Sequence, residues 1–148
     1  MRRWAWWTIG IAVLLGVMIA ALLTPILQAG PRLRGITSTT ATQRQAAWKW
    51  FTTPPPGTSV PRLERWYPDI EARLIESDKR PAILDAIVVL ESHDLLSWNR
   101  CRPELMIKCV AALRAEGGDH LLTAAELIAA APDEAMLRMQ AEQGTMRK

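Results

Sequence analysis

The stretch IGIAVLLGVMIAALLTPIL, residues 9–27, holds 19 residues without a charge. Ala5 to Thr8 extend the uncharged run toward the N-terminus. At about 1.5 Å of rise per residue such a helix reaches roughly 30 Å, the thickness of a hydrocarbon core. A helix that is apolar on every side needs more cover than a domain of this size supplies. The sequence therefore predicts a transmembrane helix over residues 9–29, with residues 1–8 as a cytoplasmic N-tail.

The flanks of this run refine the expectation. Met1, Arg2 and Arg3 form a basic start like that of a signal peptide. A cleavage site does not follow: Leu27 stands where a small residue is needed, and Pro31 comes directly after Gly30. No Cys lies near the end of the run, which excludes a lipoprotein site. The segment reads as an uncleaved signal-anchor. Trp4, Trp6 and Trp7 precede it, and Trp48 and Trp50 come later beside Lys49 and Phe51. An indole ring is apolar while its N–H seeks water, so Trp4, Trp6 and Trp7 are expected as a membrane-interface belt; Trp48 and Trp50, in the stretch 43–51, either touch the same membrane face or belong to a linker and pack on the domain. Ala12, Gly16 and Ala20 are four apart, a small-residue stripe on which another helix could pack.

Charge placement leaves the topology contested. Arg2 and Arg3 favour a cytoplasmic N-terminus, whereas Arg32, Arg34 and Arg44 favour the opposite side. The signal-anchor layout and an even count of two cysteines tip the balance toward a periplasmic C-terminal domain. Residues 1–63 carry seven basic residues and no acid; residues 64–148 carry eleven basic and fifteen acidic ones, a net −4. The folded part is thus acidic, which argues against a nucleic-acid partner. The basic flank points instead to anionic headgroups, so a lipid bilayer and other membrane subunits are the expected partners.

Beyond the apolar run, residues 30–61 are rich in Gly, Pro and Thr and include the triple proline Pro54–Pro56. A stiff extended linker is expected there. Residues 62–148 should then form a small helical domain. One or two turns and a helix over Pro68–Glu76 come first. Ser77 or Asp78 caps a long helix from Pro81 to Trp98, read as the central and most buried one. Pro103 opens a helix that Gly117 ends. Thr123 and Glu126 have capping-box spacing, with Leu122 and Leu127 as a hydrophobic staple before a helix over Ala124–Ala130. A last helix runs from Pro132 to about Gln143. The fold class is all-α: a transmembrane helix, a Pro-rich linker and a bundle of four or five short helices.

Residues that carry chemistry are sparse. Cys101 and Cys109 are a disulfide candidate, because Pro103 places Cys101 outside the helix and lets the preceding turn fold back. The alternative is a buried Cys109 behaving as a small hydrophobe, with Cys101 incidental. The pair lacks zinc-knuckle spacing and a third ligand. Glu91-Ser92-His93-Asp94 sets a carboxylate near a histidine, but His93 has no partner four residues away, and a solvated helix face explains it. His120 reads as a loop residue. No catalytic residue, metal site or cofactor is assigned.

Glu91-Ser92 resembles the Glu-Ser pair that marks lytic transglycosylases, which act on the cell wall. The resemblance covers two residues; that family's Gly-Leu-Met-Gln element is absent, with only Glu104-Leu105-Met106-Ile107 present. The layout favours a membrane-anchored accessory or scaffold subunit of a bacterial envelope complex, such as a secretion, conjugation or respiratory assembly, acting through protein binding. The alternatives are a cell-wall-active enzyme of the transglycosylase or phage-lysis kind, and a small immunity or regulatory membrane protein.

Overall fold

The computed structural model describes the backbone of residues 2–145, and the side chains of 10–20, 23, 24 and 27–141. All described secondary structure is helical. In chain order the helices are α1 (Arg2–Ile36), α2 (Ala41–Thr52), α3 (Arg62–Glu76), α4 (Arg80–Ser92), α5 (Pro103–Glu116), α6 (His120–Ala129) and α7 (Asp133–Thr145). The all-α expectation holds.

The membrane expectation does not. Among the described residues no helix is long and apolar enough to cross a membrane. The single-pass inner-membrane location, with its periplasmic domain, is therefore overturned. Nor does α1 end at Ala29. It continues through Gly30 and Pro31 to Ile36, and Ala29, Leu33 and Ile36 turn one face into the core. Proline removes one helical N–H; burial of that face against α2 and α3 outweighs the loss.

The segment 30–61 differs from the extended linker its composition suggests. Its first part ends α1, its middle is α2, and only residues 53–61 form a Pro-rich loop. In α2 the buried residues are Arg44, Ala47, Trp48 and Phe51, a spacing of three, one and three that makes a single helical stripe. Phe51 is fully buried and Trp48 is 5% exposed. Gly35 is what lets α1 approach this stripe: a Cβ added there would stand 3.0 Å from the Ala47 Cβ.

Helix α3 is one helix rather than two pieces, with Pro68 inside it. Leu63, Ile70 and Leu74 recur on one face and bury completely. Helix α4 stops at Ser92, earlier than the apolar pattern suggests. Asp94 adopts a left-handed backbone (φ 55°), and the Leu95 N–H bonds back to the Leu90 carbonyl at 2.8 Å, which closes the helix end.

The central helix is α5, not α4. It buries Leu105, Met106, Ile107, Cys109, Val110, Ala112 and Leu113. Leu105, Met106 and Cys109 join the main core with residues of α3 and α4. Ile107 and Val110 form a second cluster with Met139 of α7. Helix α5 opens at Pro103 and closes at Gly117 (φ 76°), as its punctuation predicts.

The capping box does not form. Gly117 and Gly118 both take positive φ, so the chain turns at once and α6 begins at His120. Thr123 consequently lies inside α6, and Leu122, the expected staple, is 72% exposed.

Candidate functional site

The most unusual surface belongs to α1. Ile11, Val13, Leu14, Leu15, Val17, Met18 and Ile19 are all more than half exposed. Seven apolar residues within nine positions cover every side of a helix, since successive residues turn by about 100°. Further along, Leu23 and Leu27 are exposed as well. Ala12, Gly16 and Ala20 lie exposed on one stripe of this segment, and a Cβ on Gly16 would meet nothing within 4 Å. The stripe is open to an incoming helix.

The interfacial Trp residues separate into three groups. Trp4, Trp6 and Trp7 fall outside the described side chains. Trp48 does not face an interface: it is a core residue, and its indole N–H is buried without a hydrogen-bond acceptor among the described residues. Trp50 is half-buried and meets Phe51 edge-on, with ring centroids 4.9 Å apart.

At the root of α1 lies a cavity of about 740 Å³. Thr24 and Gln28 form one wall, Pro56 and Val60 another, and Trp50 and Trp66 a third. Two guanidiniums cover these rings: Arg62 Cζ lies 4.6 Å from the Trp50 centroid and Arg65 Cζ 5.9 Å from that of Trp66. Arg62 also donates from Nη1 to the Thr53 carbonyl at 2.8 Å, which ties the proline loop to α3. The Pro-rich composition that suggested a spacer therefore builds a wall.

The two cysteines are not bridged; both are free and buried. Cys101 is held elsewhere by hydrogen bonds. The Tyr67 hydroxyl donates to its Sγ at 2.9 Å, and that thiol donates to the Leu95 carbonyl at 3.2 Å. Burial, with lesser help from Cys101, pushes the Cys109 thiol up to about 12. Burial raises the Tyr67 hydroxyl above its ordinary range too, again reinforced by Cys101. Cys109 and Tyr67 therefore stay protonated at neutral pH, and Cys109 packs within the main core.

Beside it, Glu71 is a charge that pattern reading missed. It is 6% exposed, and it accepts from the backbone N–H of Arg102 at 2.5 Å and from Arg102 Nε at 3.1 Å. Arg102 is the N-cap of α5, so a carboxylate from α3 serves the positive end of the central helix. An acid between Ile70 and Leu74 on a buried stripe was the available signal. Lys108 performs the converse task, donating to the Ile75 carbonyl, and to the Ser77 carbonyl at 2.9 Å, at the end of α3.

The Glu91–Asp94 segment forms no enclosed site. Glu91 and Ser92 are exposed, and Ser92 Oγ donates to the Val89 carbonyl at 2.8 Å. His93 Nδ1 lies 3.0 Å from both Ser92 Oγ and the Val89 carbonyl. These contacts finish α4. His120 starts α6 and is exposed. Among the described residues no group of three or more His, Cys, Asp and Glu converges to hold a metal. No family model, curated protein or solved structure matches this chain.

Proposed function

We propose that this chain is an accessory or scaffold subunit that acts by protein binding, with α1 as its docking helix. The observation that carries this reading is the exposure of Ile11 to Ile19 around the whole helix. Apolar surface of this extent, attached to a domain with its own core, marks an interaction surface. Ala12, Gly16 and Ala20 supply the stripe on which a second helix backbone would come closest. The rest of the chain fits a holding role. Residues 29–36 of α1 are fastened into the bundle, so force or position at the free part of the helix passes directly to the domain.

A photo-crosslinking residue at Val17 tests the reading in the native host. The expected product is a discrete adduct heavier than the chain, joined to an apolar helix of another subunit. Recovery of the uncrosslinked monomer alone would remove the proposal. Replacing Gly16 by Ile should abolish the adduct without changing the unfolding temperature of the bundle, because Gly16 touches nothing within it.

A further inference from the structure

The cavity at the root of α1 combines three properties that together point to one class of ligand. Its walls are mostly apolar, with Trp50, Trp66, Pro56 and Val60 as the principal surfaces. Among the described residues its only charged lining residues are the two cations Arg62 and Arg65. It opens beside an exposed apolar helix. From Gln28 and Thr24 in the wall, the same face of α1 continues through Ala20, Val17 and Val13, all exposed. At about 1.5 Å per residue this track is roughly 22 Å long.

We infer that this cavity binds a single-chain anionic amphiphile, its headgroup between Arg62 and Arg65 and its hydrocarbon tail against Trp50, Trp66 and the α1 track. The size of the cavity is that of an ordinary small-ligand pocket. Arg62 commits its Nη1 to the Thr53 and Trp50 carbonyls; its remaining in-plane N–H groups and those of Arg65 have the geometry that suits a carboxylate or phosphate. Arg62 stands at the first position of α3, a helix whose N-cap, Pro61, provides no side-chain cap, so the headgroup would also meet the positive end of that helix. A neutral ligand would leave both cations without a counter-charge. A hydrophilic anion would leave the rings and the α1 track wet. An amphiphile satisfies both. This inference does not depend on the protein-binding role of α1.

The test uses the full chain in a fixed concentration of a nonionic maltoside detergent, and dodecanoate carrying a diazirine near the middle of its tail. Adducts are mapped by mass spectrometry. The expected result is one adduct per chain, placed on Trp50, Val60, Trp66 or Thr24. Dodecyl phosphate with the same diazirine shows which anion is preferred, and labelling of the cavity by either one supports the site. The corresponding dodecanol should label roughly tenfold less, the loss of one charge-assisted contact. Arg65→Gln should reduce labelling by dodecanoate to the same degree, and Arg65→Lys should restore part of it. Arg65 is chosen because its side chain is exposed and makes no bond that holds the fold, unlike Arg62. Equal labelling by the alcohol, unchanged labelling of Arg65→Gln, or adducts confined to residues 10–20 would each overturn the inference.

Discussion

Arg44 Nε and Asp85 Oδ2 lie 2.6 Å apart, and this ion pair fastens α2 to α4. Arg44 is 7% exposed, and its Nη1 also donates to the carbonyls of Ser38 and Thr39, each at 3.1 Å. One guanidinium thus closes the turn between α1 and α2 and pins both to the bundle. A residue that sequence reading takes as a basic flank for lipid headgroups is a buried clasp.

Arg44→Ala should therefore destabilise the fold by about 3 kcal/mol, because it leaves two carbonyls and a carboxylate short of a donor. Asp85→Asn should cost less, about 1–2 kcal/mol, since Asp85 is partly exposed and the carbonyl bonds survive. Chemical denaturation of both single variants and the double variant measures the coupling. Purely additive losses would show that the pair does not act as a clasp.

Gly35→Ala should also destabilise, by about 1–2 kcal/mol, although alanine favours helix. The new Cβ would meet the Ala47 Cβ at 3.0 Å and force α1 away from α2. The intrinsic gain, up to about 1 kcal/mol, offsets only part of this. Adding Ala47→Gly should recover the packing loss. A stabilised single variant in thermal melts would contradict the close approach.

Trp48→Phe should be nearly neutral, within about 1 kcal/mol. The indole N–H of Trp48 is buried without an acceptor, so removing it sheds a desolvation cost that offsets lost ring area. Trp98→Phe is the contrast, because Trp98 Nε1 donates to the Leu127 carbonyl at 2.7 Å and links the loop before α5 to α6. It should lose about 1–2 kcal/mol more than Trp48→Phe in the same urea titration.

Alkaline pH should weaken the fold through Cys109 and Tyr67. Below pH 9 both are protonated in the folded and unfolded chains, and their stability contribution is complete. Above it the unfolded chain loses the Cys109 proton, while the folded chain keeps it until about pH 12. Tyr67 acts in the same direction from about pH 10. Unfolding free energy should fall by up to about 1.4 kcal/mol per pH unit for Cys109, and by less for the half-buried Tyr67. In Cys109→Ala the onset should move up to where Tyr67 alone begins. A flat profile between pH 9 and 11 would contradict the burial of Cys109.

Much of the bundle was legible because its punctuation is local. Pro103 and Gly117 mark α5 at both ends, and the proline at the start of α4 marks its first turn. What was missed depends on contacts distant in sequence. Helix α2 looked like a linker because Gly-, Pro- and Thr-rich sequence flanks it on both sides, yet Arg44, Ala47, Trp48 and Phe51 repeat at helical spacing and were its signal. The Thr123 box had correct spacing but lost to Gly117 and Gly118, whose positive φ angles set the start of α6 earlier. The cysteine pair was plausible from its even count and the turn before Pro103; Tyr67, 34 positions before Cys101, decides where that thiol bonds. The candidate surface on α1 was legible as apolar and small-residue spaced. The cavity at its root was not, since it needs the proline loop, α1 and α3 to meet.

The central claim is that the exposed apolar face of α1 is a docking surface for another subunit. Native mass spectrometry of the chain isolated from its host without denaturation tests it most directly. The expected result is a complex heavier than the 16.6 kDa chain, lost on Gly16→Ile while the bundle keeps its melting temperature. A single 16.6 kDa species in the unsubstituted protein would contradict it.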